Sequence, residues 1–475
     1  MYSRFYETQH EAQIMTILKS RLPVLFLLAG AALRIATLGS AAIWYDEAVT
    51  LYRTTIPFMQ LFTNHSEDSG NLLLELILRP IMAISPRSLV LLRLPALLAG
   101  MISLWLIWLL MQKLQFSLHQ QLITAALIAF LPGLLWMGQD GRAYGLLACL
   151  FLAAFWFAME GRWLGLLGCC GLLPYCHSTG PVYALGALCI AFYLRPHQWR
   201  QILLCSVLIG LAWLPALVRL MIHGAQLSYA WGATSTFEIW TISAYVALWA
   251  NIEVNQFFFV FTILAFTLPL LVSFLPDRNR IIVLLAWGIP LLSLMLFSLA
   301  RNVIIYRTLM PLLFPFFLWL GWELGAHAKP VWLRAALSGL WAVALGIGLY
   351  AWHPADRGCH LDQIATQIRS QWRTGDQLIF TTSTVGLPFE YYLGDLPHSW
   401  LDIAKDPLMD VPGIPRTTLA CQGPCKRWWV IIPKEKELIT PAEWASLKPY
   451  MQGQPVYSLH YMQAATINVY LDKAK

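Results

Sequence analysis

Charge is scarce in this chain. Only 12% of its 475 residues are Asp, Glu, Lys or Arg, while 58% are apolar; an average soluble domain carries about 25% charged residues. An ordinary soluble protein is thereby excluded. A phosphate-binding Gly-rich loop, an internal repeat and a low-complexity tract are also missing, so soluble nucleotide chemistry has no support. Cysteine is rare outside apolar runs, where Cys149, Cys169, Cys170, Cys176, Cys189 and Cys205 lie as small hydrophobes. Only Cys359, Cys421 and Cys425 fall in polar sequence. Cys421 and Cys425 are spaced C-x-x-x-C, yet no second Cys/His pair at zinc-finger spacing follows. A local disulfide is the preferred reading if that region faces an oxidising compartment.

What is present is a series of apolar runs, most of them long enough to cross about 30 Å of hydrocarbon as helices. They cover residues 22–39, 88–112, 119–138, 143–159, 163–176, 181–194, 202–222, 256–275, 281–300, 309–325 and 335–352. The expectation is a polytopic α-helical membrane protein with about eleven transmembrane helices. The first run lacks a small-residue cleavage site and reads as a retained span.

The net charge of +7 would suggest nucleic acid in a soluble protein; here the placement of the basic residues matters, and it points to orientation. With the N-terminus inside, the inner loops hold Lys113, Arg162, Arg195 with Arg200, Arg278 with Arg280, and Lys329 with Arg334. Each is basic, as retention of Lys and Arg in the cytoplasm requires. The outer connections mix signs: Asp46, Glu47, Arg53, Glu67, Asp68, Asp140, Arg142, Glu238, Glu253, Arg301 and Arg307. An odd number of spans then puts the C-terminus outside.

Two outer connections are long, residues 40–87 and 223–255. In the first, Ala48–Phe62 has the mixed pattern of a helix lying in the interface. The second carries Tyr229, Trp231, Phe237, Trp240, Tyr245 and Trp249, aromatics that anchor at the interface or recognise sugar or lipid. After Trp352 charges become frequent. Residues 1–352 thus read as the membrane module and 353–475 as a soluble extracytoplasmic α/β or α+β domain. In it, Leu361–Trp372 has helical spacing, Gln377–Thr382 and Trp428–Pro433 read as buried strands, and Val456–Tyr461 with Thr466–Leu471 as a hairpin.

The polar residues of the outer rim carry the chemistry. Asp46 and Glu47, in Trp44-Tyr45-Asp46-Glu47-Ala48 just beyond the first span, are costly at a bilayer edge and so are functional candidates. Partial desolvation would suit one of them as a general base, whereas capping the following helix explains one acid but not two. The tight turn Gly138-Gln139-Asp140-Gly141-Arg142-Ala143-Tyr144 returns to the same side; Arg142 can neutralise an anionic ligand, or pair with Asp140 to close the turn. Arg301 and Arg307 flank another outer loop, and can hold phosphate through paired hydrogen bonds or snorkel. Arg93 can join them or pair with an acid of the first loop. His177 lies at another tight outer turn and has a structural or a catalytic reading. Glu67, Asp68 and Glu75 would bind a divalent cation only if they converged, so no cofactor is assigned.

Taken together, Trp-Tyr-Asp-Glu-Ala after the first span, Gln139, Arg142 and Tyr144 as Q-x-x-R-x-Y, Arg93-Leu94-Pro95, and Arg307 ahead of Pro311 resemble the GT-C membrane glycosyltransferases, in the branch of bacterial aminoarabinose transferases and protein O-mannosyltransferases. The resemblance covers residues 20–325. Many relatives carry a His-Pro-Pro-like segment late in the first loop, where this chain reads Ser69-Gly70-Asn71-Leu72-Leu73-Leu74-Glu75.

The resemblance implies inverting transfer of a sugar from a polyprenyl-phosphate donor to an envelope glycan, a lipid or a protein at the outer face of the cytoplasmic membrane. Asp46 would be the base and Glu47 would orient the acceptor or pair with a basic group. Arg142, Arg301 and Arg307 would hold the departing phosphate, and Asp140, Tyr144, His177 and Arg93 are further substrate-binding candidates. A flippase of lipid-linked saccharides is the alternative; it would place charges near the midplane and often shows repeated halves.

Overall fold

In a computed structural model, residues 21–59, 71–223, 244–250, 262, 277–300, 303–325, 330–354, 361–381, 383–401, 416–417, 427–433, 457–461 and 465–473 are described. They are mainly helical and fall in two compact units, one of residues 1–36, 94–222 and 228–352, the other of 37–93, 223–227 and 353–475. Among the described residues five helices are long and apolar enough to cross a membrane: Leu89–Lys113, Pro196–Val218, Arg278–Leu299, Tyr306–Gly325 and Val331–Ala351. Shorter apolar helices run over Leu118–Phe130, Tyr144–Glu160, Trp163–Cys176 and Gly180–Leu194, and a further helix covers 21–36. The protein is a multi-pass α-helical membrane protein. The run at 256–275 lies, apart from Thr262, outside the described residues.

Within the first unit, Trp163–Cys176 and Gly180–Leu194 pack on Tyr144–Glu160, and Gly180–Leu194 packs also on Arg278–Ala300. The Leu313–Gly325 helix lies against Leu118–Phe130 and Arg278–Ala300 and is buried almost throughout. Its approach to Leu118–Phe130 needs a small residue, since a Cβ at Gly321 would sit 1.9 Å from Thr124 Oγ1. Apolar lipid gives helices no hydrophobic reason to associate, so such close backbone contact carries the packing. Leu118–Phe130 begins with a capping box in which Ser117 Oγ accepts from the Gln120 N–H and Gln120 Oε1 accepts from the Ser117 N–H.

The run expected as one span over 119–138 is two helices, Leu118–Phe130 and Pro132–Met137. Pro132 has no N–H to give the Ile128 carbonyl, and the chain leaves the helix at Leu131. Arg34, buried in the 21–36 helix, answers the loss: Nη1 donates to Ala129 O at 2.9 Å and Nη2 to Ile128 O at 3.3 Å. Gly30 lets the two helices meet there, a Cβ at that position lying 2.7 Å from Ala129 Cβ. At one end of this unit Lys113 pairs with Glu160 at 2.7 Å, and Arg195 donates to the Ala158 and Met159 carbonyls that end the Tyr144–Glu160 helix. Arg195 thus caps the end of that helix.

The second unit joins the first long loop to the C-terminal part. Its sheet contains β1 (Asp376–Phe380), β2 (His398–Leu401), β3 (Arg416–Thr417), β4 (Arg427–Pro433), β5 (Tyr457–Tyr461) and β6 (Ala465–Lys473), in the order β3-β2-β1-β4-β6-β5 among the described residues. The first four are parallel, and β6 runs antiparallel to β4 and β5. Trp428, Trp429, Val430 and Ile431 on β4 are all buried, the continuous apolar pattern of a central strand covered on both faces. Asp376 Oδ2 accepts from Trp429 Nε1 at 3.1 Å and from the Arg373 N–H at 2.9 Å, which ties the start of β1 to β4. The expected Leu361–Trp372 helix is present as Leu361–Gln371, and the expected hairpin is β5–β6.

Candidate functional site

In the second unit the site is organised by the helix Tyr45–Thr55. Its first turn carries Asp46 and Glu47, acids that the N-terminal end of a helix favours. The N-cap is Trp44, with no side-chain cap bond; Asp46 is therefore the second helical residue and does not occupy the capping position. The two acids sit in different surroundings. Glu47 is fully buried, while Asp46 is half-buried.

Arg93 accounts for the burial of Glu47. Its Nε donates to Glu47 Oε1 at 2.8 Å and its Nη2 to Oε2 at 2.7 Å, the two-bond geometry a guanidinium forms with a carboxylate. The other N–H groups reach the carbonyls of Leu38 and Ala41 at 3.0 Å each and of Ala42 at 3.1 Å. All five donors of Arg93 are thus used inside the protein. Pairing with an acid of the first loop, one of the two readings of Arg93, is present in the structure, and the Arg-Leu-Pro sequence acquires a physical role: its arginine holds the turn leading into Asp46.

Further along the same helix, Arg53 Nε lies 2.7 Å from Glu75 Oε1 on the Leu72–Ile84 helix, both residues being buried. Glu47, Thr50 and Arg53 therefore form a buried polar seam at spacings of three residues. The C-terminal helix Ser383–Leu393 packs on Tyr45–Thr55. There Tyr392 Oη accepts the Ile43 N–H at 3.0 Å, and the Tyr391 hydroxyl donates to the Arg87 carbonyl. Burial holds both phenols above the usual tyrosine range, so they act as neutral hydroxyls.

The first unit assembles a second polar group. The turn from Gly138 to Ala143 is buried throughout, with Gln139, Asp140 and Arg142 enclosed; Gln139 Nε2 donates to the Arg34 carbonyl at 3.0 Å. Cys176 Sγ donates to Ala143 O at 3.4 Å, and the Tyr144 and His177 rings are 5.1 Å apart, so the turn at His177 meets the turn at Arg142. His177 Nδ1 faces Thr179, accepting its N–H at 3.2 Å with Oγ1 at 2.8 Å. Trp136 stacks on Tyr306 at 5.5 Å, and Arg307 lies over the Tyr306 ring at 4.9 Å while its Nε donates to Tyr306 Oη at 2.6 Å. The turn that holds Asp140 and Arg142 therefore meets the turn at His177 through Ala143 and Tyr144, and Arg307 is joined to Trp136 through the Tyr306 ring. Arg301, Glu67, Asp68, Cys359, Cys421 and Cys425 lie outside the described residues.

Sequence reasoning did not anticipate Arg34, the Arg53–Glu75 pair, the Trp136–Tyr306 stack or Tyr392. A signal existed for the first: an Arg within an apolar run needs a buried partner.

The fold is a multi-helix bundle whose acidic pair follows the first described helix, joined in one chain to a sheet-bearing C-terminal part. It is similar to two crystal structures of ArnT from Cupriavidus metallidurans. The apo form matches at 11% identity and the form bound to undecaprenyl phosphate at 12%, each with a TM-score of 0.56 over 94% of this chain and 97% of that one. No protein-family model matches the sequence, and no curated protein matches it.

Proposed function

We propose that this protein is an inverting glycosyltransferase that takes a sugar from a polyprenyl-phosphate donor at the outer face of the cytoplasmic membrane. The acceptor is an envelope glycan, a lipid or a protein. The observation that carries the reading is the unequal environment of the adjacent acids. Glu47 is neutralised by Arg93 in a buried pair, while Asp46, one residue away on a rigid helix, is half-buried. Partial desolvation beside a compensated neighbour suits a carboxylate that accepts a proton. Asp46 removes the acceptor hydroxyl proton as that oxygen attacks the anomeric carbon. The bond to the polyprenyl phosphate breaks on the opposite side, and the phosphate leaves with the electron pair.

Arg142, Arg307 and Arg301 supply the positive charge that a departing phosphate needs, and Asp140, Tyr144 and His177 are the further substrate-binding candidates. Arg93 is a positioning residue. The bound undecaprenyl phosphate in an ArnT of similar fold supports a polyprenyl-phosphate ligand. The basic inner loops support about eleven spans with the N-terminus inside and residues 353–475 outside. The test is transfer of labelled sugar from undecaprenyl-phosphate donors in membranes. Asp46→Asn should fold, bind undecaprenyl phosphate and transfer nothing; full transfer by that variant removes Asp46 as the base.

A further inference from the structure

Asn71 stands at the N-cap of the Leu72–Ile84 helix, where an Asn side chain ordinarily accepts a backbone N–H of the first turn. Here it makes no such bond. The residue is 1% exposed, and neither Nδ2 nor Oδ1 has a hydrogen-bond partner among the described residues. A buried amide with both ends unsatisfied is rare in native proteins and costs stability. A side chain that could relieve the cost by capping its own helix, and does not, is held for another partner.

The surroundings indicate which kind. Asn71 is followed one helical turn later on the same face by Glu75, which is paired with Arg53 of the helix that carries Asp46 and Glu47. Asn71 thus stands one turn before a residue that is paired with the helix carrying Asp46 and Glu47. An amide offers one acceptor and two donors in one plane. That complements neighbouring hydroxyls, or a hydroxyl beside an amide, on a pyranose or furanose ring, and is poorly matched to a phosphate, which only accepts.

We propose that Asn71 is a specificity-determining residue of the transfer site, binding the hydroxyls of a saccharide through Nδ2 and Oδ1. This rests on the glycosyltransferase reading above and adds to it the group that recognises the sugar. The saccharide is the donor's transferred ring or the acceptor's, two sources with the same chemistry.

The experiment compares the full-length protein with Asn71→Ala and Asn71→Leu. The probes are bare undecaprenyl phosphate and its glucose, mannose, galactose and arabinose conjugates, with binding and turnover measured separately. Both variants should keep or raise the thermal midpoint, since they remove an unsatisfied buried amide, and should bind bare undecaprenyl phosphate as the wild type does. Preference among the sugars should fall roughly tenfold to hundredfold. A rise in KM for the conjugates places the recognised ring on the donor; a rise in KM for the acceptor alone places it there. A lowered midpoint with unchanged discrimination makes Asn71 structural and overturns the proposal, as does no change in either. Absence of turnover in the wild type with every conjugate defeats the glycosyltransferase reading instead, while the binding arm still reports on Asn71.

Discussion

Arg93 and Glu47, forty-six residues apart in the chain, meet in a buried two-bond ion pair whose arginine also holds three carbonyls of the turn before the acidic helix. Removing one partner leaves the other charge buried, which costs about 3–5 kcal/mol. Arg93→Ala and Glu47→Ala should therefore both lower the thermal midpoint of the detergent-solubilised protein. Asp46→Asn should leave it near the wild-type value while abolishing transfer. The contrast separates the acid that holds the structure from the acid proposed to act; a large loss of stability in Asp46→Asn would merge the two roles.

Tyr392 reaches the same turn from the other end of the sequence, its Oη accepting the Ile43 N–H. Tyr392→Phe keeps the ring and strands that donor, at a cost of about 1–3 kcal/mol. Amide hydrogen exchange should accelerate over residues 41–47, and turnover should fall more than substrate affinity. Unaltered exchange there would mean that the C-terminal helix does not steady the acidic turn.

These two contacts also show what could be read without coordinates. The helices from Tyr144 to Leu194 were legible because Gly161-Arg162 and His177-Ser178-Thr179 interrupt otherwise apolar runs, and polar punctuation marks span ends. The break at Leu131-Pro132 was not read, since hydropathy averages over a proline whose effect is the loss of a single N–H. Glu47 and Arg93 were both visible as candidates, yet nothing in linear order could pair them. Tyr392 lay beyond reach altogether: its partner is a backbone amide 349 positions away. Asn71 was hidden because linear order shows neither that a helix starts after it nor that its amide is left without a bond.

Two acids near the end of the Ser383–Leu393 helix should give pH effects of opposite sign. Burial raises Glu390 against the opposing charges of His398 and Arg87. The folded state therefore holds that proton more tightly than the unfolded chain. The stabilising contribution is complete below the unfolded value of about 4.3 and is lost as pH rises through the folded value. Asp395 is lowered, first by its hydrogen bonds from Arg369. Its contribution is present above about pH 3.9 and is lost as pH falls through the folded value. Glu390→Gln should consequently gain stability over the wild type between about pH 4 and pH 7. Asp395→Asn should lose no more than about 1 kcal/mol at neutral pH, the pair being half exposed, and nothing in strong acid. Thermal midpoints across that range decide both signs.

The pairing of Arg34 with the break at Pro132 makes a prediction that needs two substitutions. Arg34 donates to the carbonyls of Ile128 and Ala129, and Pro132 withholds the N–H that would otherwise serve Ile128. With no water in the hydrocarbon to replace the arginine, Arg34→Met should cost several kcal/mol. Pro132→Ala restores a backbone donor and so should lessen the need for Arg34. In a double-mutant cycle the second substitution should recover part of the first loss, with a coupling of about 0.5–3 kcal/mol. Arg34→Lys should recover less, because one ammonium cannot span two carbonyls and the Gly30 carbonyl with the fixed fork of a guanidinium. Strict additivity of Arg34→Met and Pro132→Ala would show that the arginine is buried for its charge and not for its hydrogen bonds.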